Sequence, residues 1–316
     1  MKSPRFNGRR FWALFIAAAV IMIWGVAPML VEPSLDSAFF DRLPADRPAV
    51  IAHRGGKHLW PENTLVAFLG AREMGVDALE LDVWSSADGE PVVIHDETVD
   101  RTTNGSGPVR SFSVSQLASL DAGYRFEHHA RKGEFPYRGR DVRIPTLEEV
   151  FRAFPKMLMV IEIKEECPRL IDRVGELIQE HGRADLSLVG SFCTRTISRF
   201  RAGYPEVATT AAQREVIPFL FLNAIFAGRA YSSSSNAFFV PTHVGRLPVA
   251  TPRFIRGAQS RNLYVGVWTI NEVDTMKALI DRGVDALITD RPDLALEIVG
   301  TPPQQEQYDG QGSSAM

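Results

Sequence analysis

The chain has 316 residues, 45% of them hydrophobic and 23% charged, with a formal net charge of −3. That composition excludes a disordered, collagenous or coiled-coil chain. Two cysteines, Cys167 and Cys193, are too few for a disulfide scaffold or a thiolate zinc cluster, and the sequence leaves open whether they pair. Lys2, Arg5, Arg9 and Arg10 precede residue 32 with no acid among them, so the rest of the chain is the more acidic part and nucleic acid is not an expected partner.

Taken in chain order, the first segment is Phe11–Val31, which carries no charged residue. It is long enough for the ~20 apolar residues that a membrane-spanning helix needs, and Trp12 and Trp24 suit the interface. The basic flank precedes it, and Glu32, Asp36 and Asp41 follow. The pattern predicts a single-pass N-terminal anchor over residues 1–31, with the rest of the chain on the extracytoplasmic side of a membrane. A cleaved signal peptide is the competing reading, but its apolar core is usually ~7–15 residues and Val26-Ala27-Pro28 is a poor cleavage site. Proline-punctuated residues 32–48 read as a linker, and polar residues 301–316 as a disordered tail. Residues 49–300 remain, a length that suits one α/β barrel.

Within 49–300, short apolar strands alternate with helical stretches. The strand candidates are Val50–His53, Ala78–Val83, Met159–Ile163, Leu186–Ser191, Ala208–Ala211, Phe238–Val240, Tyr264–Trp268 and Ala286–Thr289. Amphipathic stretches such as Thr64–Met74 and Val273–Arg282 lie between them. Eight strands with crossover helices predict a (β/α)₈ TIM barrel. A ninth run, Pro91–His95, follows Ala78–Val83 too closely for a parallel crossover, so it reads as the return strand of a hairpin through Ala87-Asp88-Gly89-Glu90. With Ser86 opposite Pro91, that hairpin sets His95 opposite Asp82.

The chemistry-bearing residues fall at strand ends. Glu80 and Asp82 are two apart on one strand and share a face, as do Glu162 and Lys164 on another. His53 ends the first strand. Barrel active sites collect at the C-terminal ends of the strands, so His53, Glu80, Asp82, His95, Glu162 and Lys164 converge on one mouth. Three carboxylates crowded together repel unless protonated or held by a cation, and an all-oxygen set favours calcium or magnesium.

Ile51-Ala52-His53-Arg54-Gly55-Gly56, Pro61-Glu62-Asn63-Thr64, Leu79-Glu80-Leu81-Asp82-Val83, Val93-Ile94-His95-Asp96 and Glu162-Ile163-Lys164 stand in this order along the chain. Val267-Trp268-Thr269-Ile270-Asn271 and Ile288-Thr289-Asp290 complete the set. Over residues 49–299 the combination resembles the glycerophosphodiester phosphodiesterase family. The resemblance implies a barrel enzyme that hydrolyses glycerophosphodiesters to glycerol 3-phosphate and an alcohol, with an insertion around Asp100–Arg143. It implies Glu80, Asp82 and Glu162 as ligands of one divalent cation, Ca²⁺ or Mg²⁺. It implies His53 and His95 as the acid/base pair, and Arg54 and Lys164 as phosphate contacts. The adjacent glycerol hydroxyl is then the nucleophile, through a cyclic phosphate, and the order in which the histidines act stays open.

Several residues carry a second reading. Lys164 is either a phosphate contact or a salt-bridge partner of Glu162. Trp268 faces substrate or belongs to the core. Glu62 either supports the site from behind its contacting residues or favours the start of the following helix through its charge, the latter being preferred. Asn104-Gly105-Ser106-Gly107 could cradle an anion through its backbone N–H groups but is read as a plain turn. His58, His128, His129 and His181 are expected at the solvent surface, while His243 is left open. Neither cysteine has an activating motif, and both are expected to be inert.

Residues 216–228 are apolar nearly all round and too short to span a bilayer. They fit a buried barrel helix, a membrane-interface surface or an acyl-chain groove. This stretch also resembles the family's membrane-anchored branch, which implies lysophospholipids as an alternative substrate through a lysophospholipase D activity. A phosphoinositide-cleaving lyase and a membrane-tethered, non-catalytic binding barrel are the readings from other classes.

Overall fold

The computed structural model describes residues 12, 15, 16, 18, 21–127 and 131–300. Its eight parallel strands and eight crossover helices alternate as expected. The strands are β1 (Ala49–Ala52), β2 (Ala78–Ser85), β3 (Pro91–Val93), β4 (Leu158–Ile163), β5 (Ser187–Gly190), β6 (Ala208–Thr209) and β7 (Ala237–Pro241). A small hairpin, β8 (His243–Val244) and β9 (Leu247–Pro248), precedes β10 (Tyr264–Trp268) and β11 (Ala286–Thr289). The main helices are α1 (Leu65–Met74), α2 (Leu147–Ala153), α3 (Pro168–Glu180) and α4 (Thr194–Gly203), then α5 (Gln213–Ala224), α6 (Pro252–Gln259), α7 (Val273–Asp281) and α8 (Pro292–Val299).

The parallel ladder runs β6-β5-β4-β2-β1-β11-β10-β7. A single parallel bridge between Thr210 and Ala237 joins its two ends, with Ala211 N–H donating to Ala237 O at 2.8 Å. Closure removes the sheet edges and makes the alternation of side chains decisive. Leu79, Leu81 and Val83 point outward and pack with Met159, Ile161 and Ile163 under the helices. Ala49, Ile51, Ala78, Leu158, Val160, Leu188, Ala286 and Ile288 fill the barrel interior. By the same period of two, Glu80, Asp82 and Glu162 continue the interior rows toward the mouth.

The opposite end of the barrel is closed by residues 32–48. A four-residue helix, Ala38–Asp41, buries Phe39 completely against the interior cluster, and Leu43 joins it. Upstream, the buried Arg261 guanidinium donates to the carbonyls of Val31 and Glu32. Ser34 Oγ donates to Ser235 O at 2.5 Å, and Asn262 Nδ2 to Ser34 O at 3.0 Å.

The expected transmembrane anchor is overturned. Among the described residues, no helix is long and apolar enough to cross a membrane. Ile21–Val26 forms one π-helical turn and Ala27–Leu30 a four-residue helix, after which Val31 is extended. The extracytoplasmic placement rested on that anchor and goes with it. Most of residues 1–20 and the whole expected tail, 301–316, lie outside the described residues.

The β2–β3 hairpin is antiparallel, but its register differs by one residue from the expected one. Ser85 pairs with Pro91 and Val83 with Val93, and Ile94 N–H donates to Asp82 O at 3.0 Å. The loop closes over three residues rather than four, because Ser86 N–H donates to Glu90 O and Gly89 adopts φ 85°. That left-handed position is natural for glycine in a three-residue hairpin loop. Beyond β3, the chain builds a satellite core of Ile94, Val99, Val109, Leu117, Val142 and Ile144 before it re-enters the barrel at α2.

Candidate active site

The turn after β1 places the first group of side chains. His53, Arg54 and Gly55 make one tight turn in which Arg54, Gly55 and Gly56 have φ of 52°, 79° and 88°. A Cβ on Gly55 would lie 2.7 Å from Ala67 Cβ, so the turn packs against α1 only with glycine there. A non-glycine residue in this region costs roughly 1–2 kcal/mol, and Arg54 has contacts that offset it. Its backbone N–H donates to Glu80 Oε2 at 2.8 Å. Its guanidinium donates to Glu62 Oε1 at 2.9 Å and lies 3.3 Å from Asp82 Oδ2.

The segment Pro61–Thr64 serves the same centre. Thr64 caps α1 by accepting from Ala67 N–H, and Asn63, at φ 57°, turns its amide toward β2. Asn63 Nδ2 donates to Asp82 Oδ2 at 2.8 Å, and Asp82 N–H donates to Asn63 Oδ1 at 3.3 Å. Glu62, for which the helix start is the preferred reading, takes its other reading and supports the site: it receives Arg54 and a bidentate pair of bonds from Arg101, both at 2.8 Å. Burial would raise its pKa, but the Arg101 hydrogen bonds and the Arg54 charge hold it down at about 2.

Glu80, Asp82 and Glu162 each present a carboxylate oxygen, all within 4.8 Å of one another. In the β2–β4 ladder Asp82 stands opposite Glu162. Lys164 Nζ lies 2.8 Å from both Asp82 Oδ1 and Glu162 Oε1, so the salt bridge expected with Glu162 extends to Asp82. The carboxyls respond differently. Burial and the neighbouring Asp82 charge push Glu80 up to about 7. Burial also acts on Asp82, but Lys164 and Arg54 hold it below the ordinary range. Burial leaves Glu162 raised despite Lys164. A buried carboxyl pushed up to about 7 by desolvation and by an adjacent carboxylate, with a third carboxyl beside it, is the donor chemistry that a hard divalent cation satisfies. The residues therefore fit calcium or magnesium.

Both imidazoles are oriented by carboxylates. His53 Nδ1 donates to Asp290 Oδ1 at 2.6 Å, and its Nε2 is 3.9 Å from Glu80 Oε2. Asp290 is itself fixed by Asn271, whose Nδ2 donates to Asp290 Oδ2 at 2.8 Å. His95 Nδ1 donates to Asp96 Oδ1 at 2.6 Å, and Trp84 Nε1 holds the His95 carbonyl at 2.8 Å. A ring whose Nδ1–H is bound to a carboxylate keeps Nε2 as its proton-transfer atom. Burial works against protonation of His53, but the Glu80 charge and the Asp290 bond outweigh it and raise its pKa. Burial prevails at His95 and lowers its pKa.

Trp268 lies at the end of β10, half-buried, with its ring edge-to-face against exposed Phe192 at 5.7 Å. A cleft of about 280 Å³, lined in part by Lys57, His58, Glu62, Arg101, Arg125 and Phe126, opens beside the centre. His58 lies 3.6 Å from Asp290 Oδ2, so it belongs to the site's surroundings rather than to bulk surface. His181 lies 3.6 Å from Glu148, and His243 is exposed on β8. His128 and His129 lie outside the described residues. Cys167 and Cys193 are free. Asn104–Gly107 is irregular chain tied by Asp100, which accepts from Ser106 Oγ and Gly107 N–H. Sequence reasoning gave no role to Asp290, Asn63, Asn271, Asp96 or Arg101. The usable signal for Asp290 was its position just past β11, at the end of the barrel where His53 also sits.

A family model described as the glycerophosphoryl diester phosphodiesterase family matches residues 53–294. A glycerophosphodiester phosphodiesterase of Caldanaerobacter subterraneus is 32% identical over 255 residues, which are 79% of this chain and 97% of that protein. The glycerophosphoryl diester phosphodiesterase domain of a Mycobacterium tuberculosis protein superposes with a TM-score of 0.70 at 25% identity, covering 80% of this chain and 99% of that domain. An Oleispira antarctica phosphodiesterase, solved in complex with the product sn-glycerol-3-phosphate, superposes with a TM-score of 0.66 at 25% identity, over 84% of this chain and all of that one. With this breadth of match, and with barrel, carboxylates and histidines in place, the chain belongs to the glycerophosphoryl diester phosphodiesterase family.

Proposed function

We propose that the protein hydrolyses glycerophosphodiesters to sn-glycerol 3-phosphate and an alcohol, with Glu80, Asp82 and Glu162 holding one divalent cation. The observation that carries this reading is the pair of imidazoles, each with Nδ1 engaged by a carboxylate at 2.6 Å, beside three clustered carboxylates. When bound, the cation polarises the phosphate oxygens and lowers the pKa of a hydroxyl it contacts. Arg54 and Lys164 supply positive charge to the phosphate. One imidazole Nε2 takes the proton of the glycerol 2-hydroxyl as its oxygen bonds to phosphorus. The other imidazolium gives its proton to the leaving alkoxide as that P–O bond breaks. Water then opens the cyclic phosphate with the proton roles exchanged. Trp268, with Phe192 against it, lines the alcohol or glycerol side of the mouth.

The test is turnover of glycerophosphocholine and glycerophosphoethanolamine with Ca²⁺ or Mg²⁺, products being identified by mass spectrometry. Glycerol 3-phosphate with free choline or ethanolamine is the expected result. No turnover of either, or a cyclic phosphate as the end product, would contradict the reading.

A lysophospholipid substrate is the second reading, and α5 is the observation that favours it. The helix buries Val216 and Phe219 but leaves Ile217 and Phe221 exposed, with Phe226 exposed just beyond. Such a strip offers an acyl chain an apolar contact that a soluble diester does not need. Release of choline from lysophosphatidylcholine, with lysophosphatidic acid as co-product, tests it.

A further inference from the structure

On the reading above, the insertion between β3 and α2 also reaches into the reaction centre. Arg101 links it directly to both halves of that centre. Arg101 Nε donates to Asp96 Oδ2 at 2.5 Å, and Asp96 is the carboxylate behind His95. The other two nitrogens of the same guanidinium donate to Glu62 Oε2 and Oε1, both at 2.8 Å. Glu62 in turn receives Arg54, whose guanidinium faces Asp82. One planar group thus joins His95–Asp96 on the β3 side to Glu62–Arg54–Asp82 on the β1 and β2 side.

The local backbone aims Arg101 at this position. Thr103 N–H and Oγ1 both donate to Val99 O, at 3.1 and 2.8 Å, and Asp100 ties Ser106 and Gly107. Val99 is buried in the satellite core, so the turn carrying Arg101 is fastened from below. An exposed ion pair adds little to stability, and the Arg101 side chain is 48% exposed. Its partners are less so: Glu62 is 11% and Asp96 31% exposed. A guanidinium with three directed bonds to two carboxylates fixes geometry in a way a lysine cannot.

We propose that Arg101 is a positioning residue. It locks Asp96 and Glu62 in one fixed relation, so that His95 and the Arg54 guanidinium hold their places on the two sides of the phosphate. The insertion is then part of the catalytic apparatus and not only a cover over the barrel.

The experiment is a double-mutant cycle on the full chain with glycerophosphocholine and saturating Ca²⁺ or Mg²⁺. Arg101→Ala is expected to lower kcat by about tenfold to a hundredfold, as misplacement of a reacting group does, with KM changed less than about threefold. Asp96→Asn is expected to cost a similar factor, and the double variant to lose little beyond the worse single variant, since both break one linkage. Arg101→Lys, which keeps the charge but not the bidentate bond, is expected to fall between Arg101→Ala and wild type. Circular dichroism and thermal melting accompany each variant, and if Arg101→Ala does not fold, Arg101→Lys and Glu62→Gln carry the test. A kcat within about twofold of wild type, or losses that multiply in the double variant, overturns the proposal. So does a lower melting temperature with unchanged turnover per folded molecule, which assigns Arg101 to stability. Absence of turnover by the wild-type chain is a separate outcome and counts against the proposed function instead.

Discussion

Asp82 and Glu162 are register partners on adjacent parallel strands, and Lys164 Nζ sits 2.8 Å from a carboxylate oxygen of each. The strand period places Lys164 two residues past Glu162 on the same interior row, so one ammonium partly neutralises two acids. Glu80 has no such ammonium partner; it accepts from the Arg54 backbone N–H at 2.8 Å and lies 3.9 Å from His53 Nε2. Its carboxyl consequently carries the strongest demand for a further positive charge.

Metal dependence follows from that imbalance. Exhaustive chelation is expected to abolish turnover, and Ca²⁺ or Mg²⁺ to restore it. Calorimetric titration should show one divalent cation bound to the wild type and none to the Glu80→Ala, Asp82→Ala double variant. Full activity in that variant after metal removal would defeat the assignment.

The pKa of Glu80 makes cation binding pH-dependent. With the carboxyl protonated below about 7, each bound cation displaces a proton, so affinity is expected to fall by up to about tenfold per pH unit below that point. The metal-free protein shows the converse linkage. Glu80, Glu162 and His53 all bind protons more tightly folded than unfolded. Their stabilisation is complete at acid pH, below the ordinary carboxyl range, and is lost as pH rises through their folded values. His95 works the other way, and so do Glu62, Asp82, Asp96 and Asp290, whose stabilisation is complete above the ordinary carboxyl range and is lost only at more acid pH. Thermal melting of metal-free protein from pH 5 to pH 8 should therefore show a falling midpoint, with the added cation raising it most at pH 8. A midpoint that climbs over the same range contradicts this account.

The two histidines should be separable from the fold. His53→Ala and His95→Ala are each expected to lose at least about a hundredfold in kcat while melting near wild type. Asp290→Asn, which leaves the His53 ring without its carboxylate at 2.6 Å, should lose activity in the same sense with the ring still present. Stopped-assay turnover and circular dichroism decide it, and near-wild-type kcat in either alanine variant removes that residue from the mechanism.

Phe219 and Phe221 are two residues apart on α5 and have opposite fates. Phe219 is fully buried, with Tyr231, Phe238 and Phe254 rings 5.2–5.3 Å away, whereas Phe221 is 66% exposed. Phe219→Ala is expected to destabilise by about 3–5 kcal/mol and to depress all activities together. Phe221→Ser is expected to leave melting unchanged and, if α5 guides an acyl chain, to reduce only lysophospholipid turnover. Equal loss on lysophospholipid and glycerophosphocholine from Phe221→Ser would exclude the chain-guiding role.

The sequence by itself determined whatever depends on local periodicity. A period of two along Ala78–Val83 and Met159–Ile163 fixed Glu80, Asp82 and Glu162 on one face of each strand, because successive strand side chains must face opposite ways. Alternation of strands and helices fixed the barrel, and the barrel fixed which end carries His53. Tertiary structure decided the pairings that depend on closure. Asp290 meets His53 across 237 residues only because β11 lies beside β1, and Arg101 meets Glu62 only because the insertion folds back over the first turn. The hairpin register turned on one positive-φ glycine, a single residue's difference that the alternating pattern around it does not encode. The apolar run at 216–228 reads as uniform in sequence, yet the barrel divides it between a buried Phe219 and an exposed Phe221, since only the packed neighbours set which helix face is inside. The N-terminus has the composition of a membrane span, but among the described residues no helix is long and apolar enough to cross a membrane, and Arg261 fastens the chain at Val31 and Glu32 to the barrel. Hydrophobicity favours removing a segment from water, and the surrounding fold decides which of its side chains are actually buried.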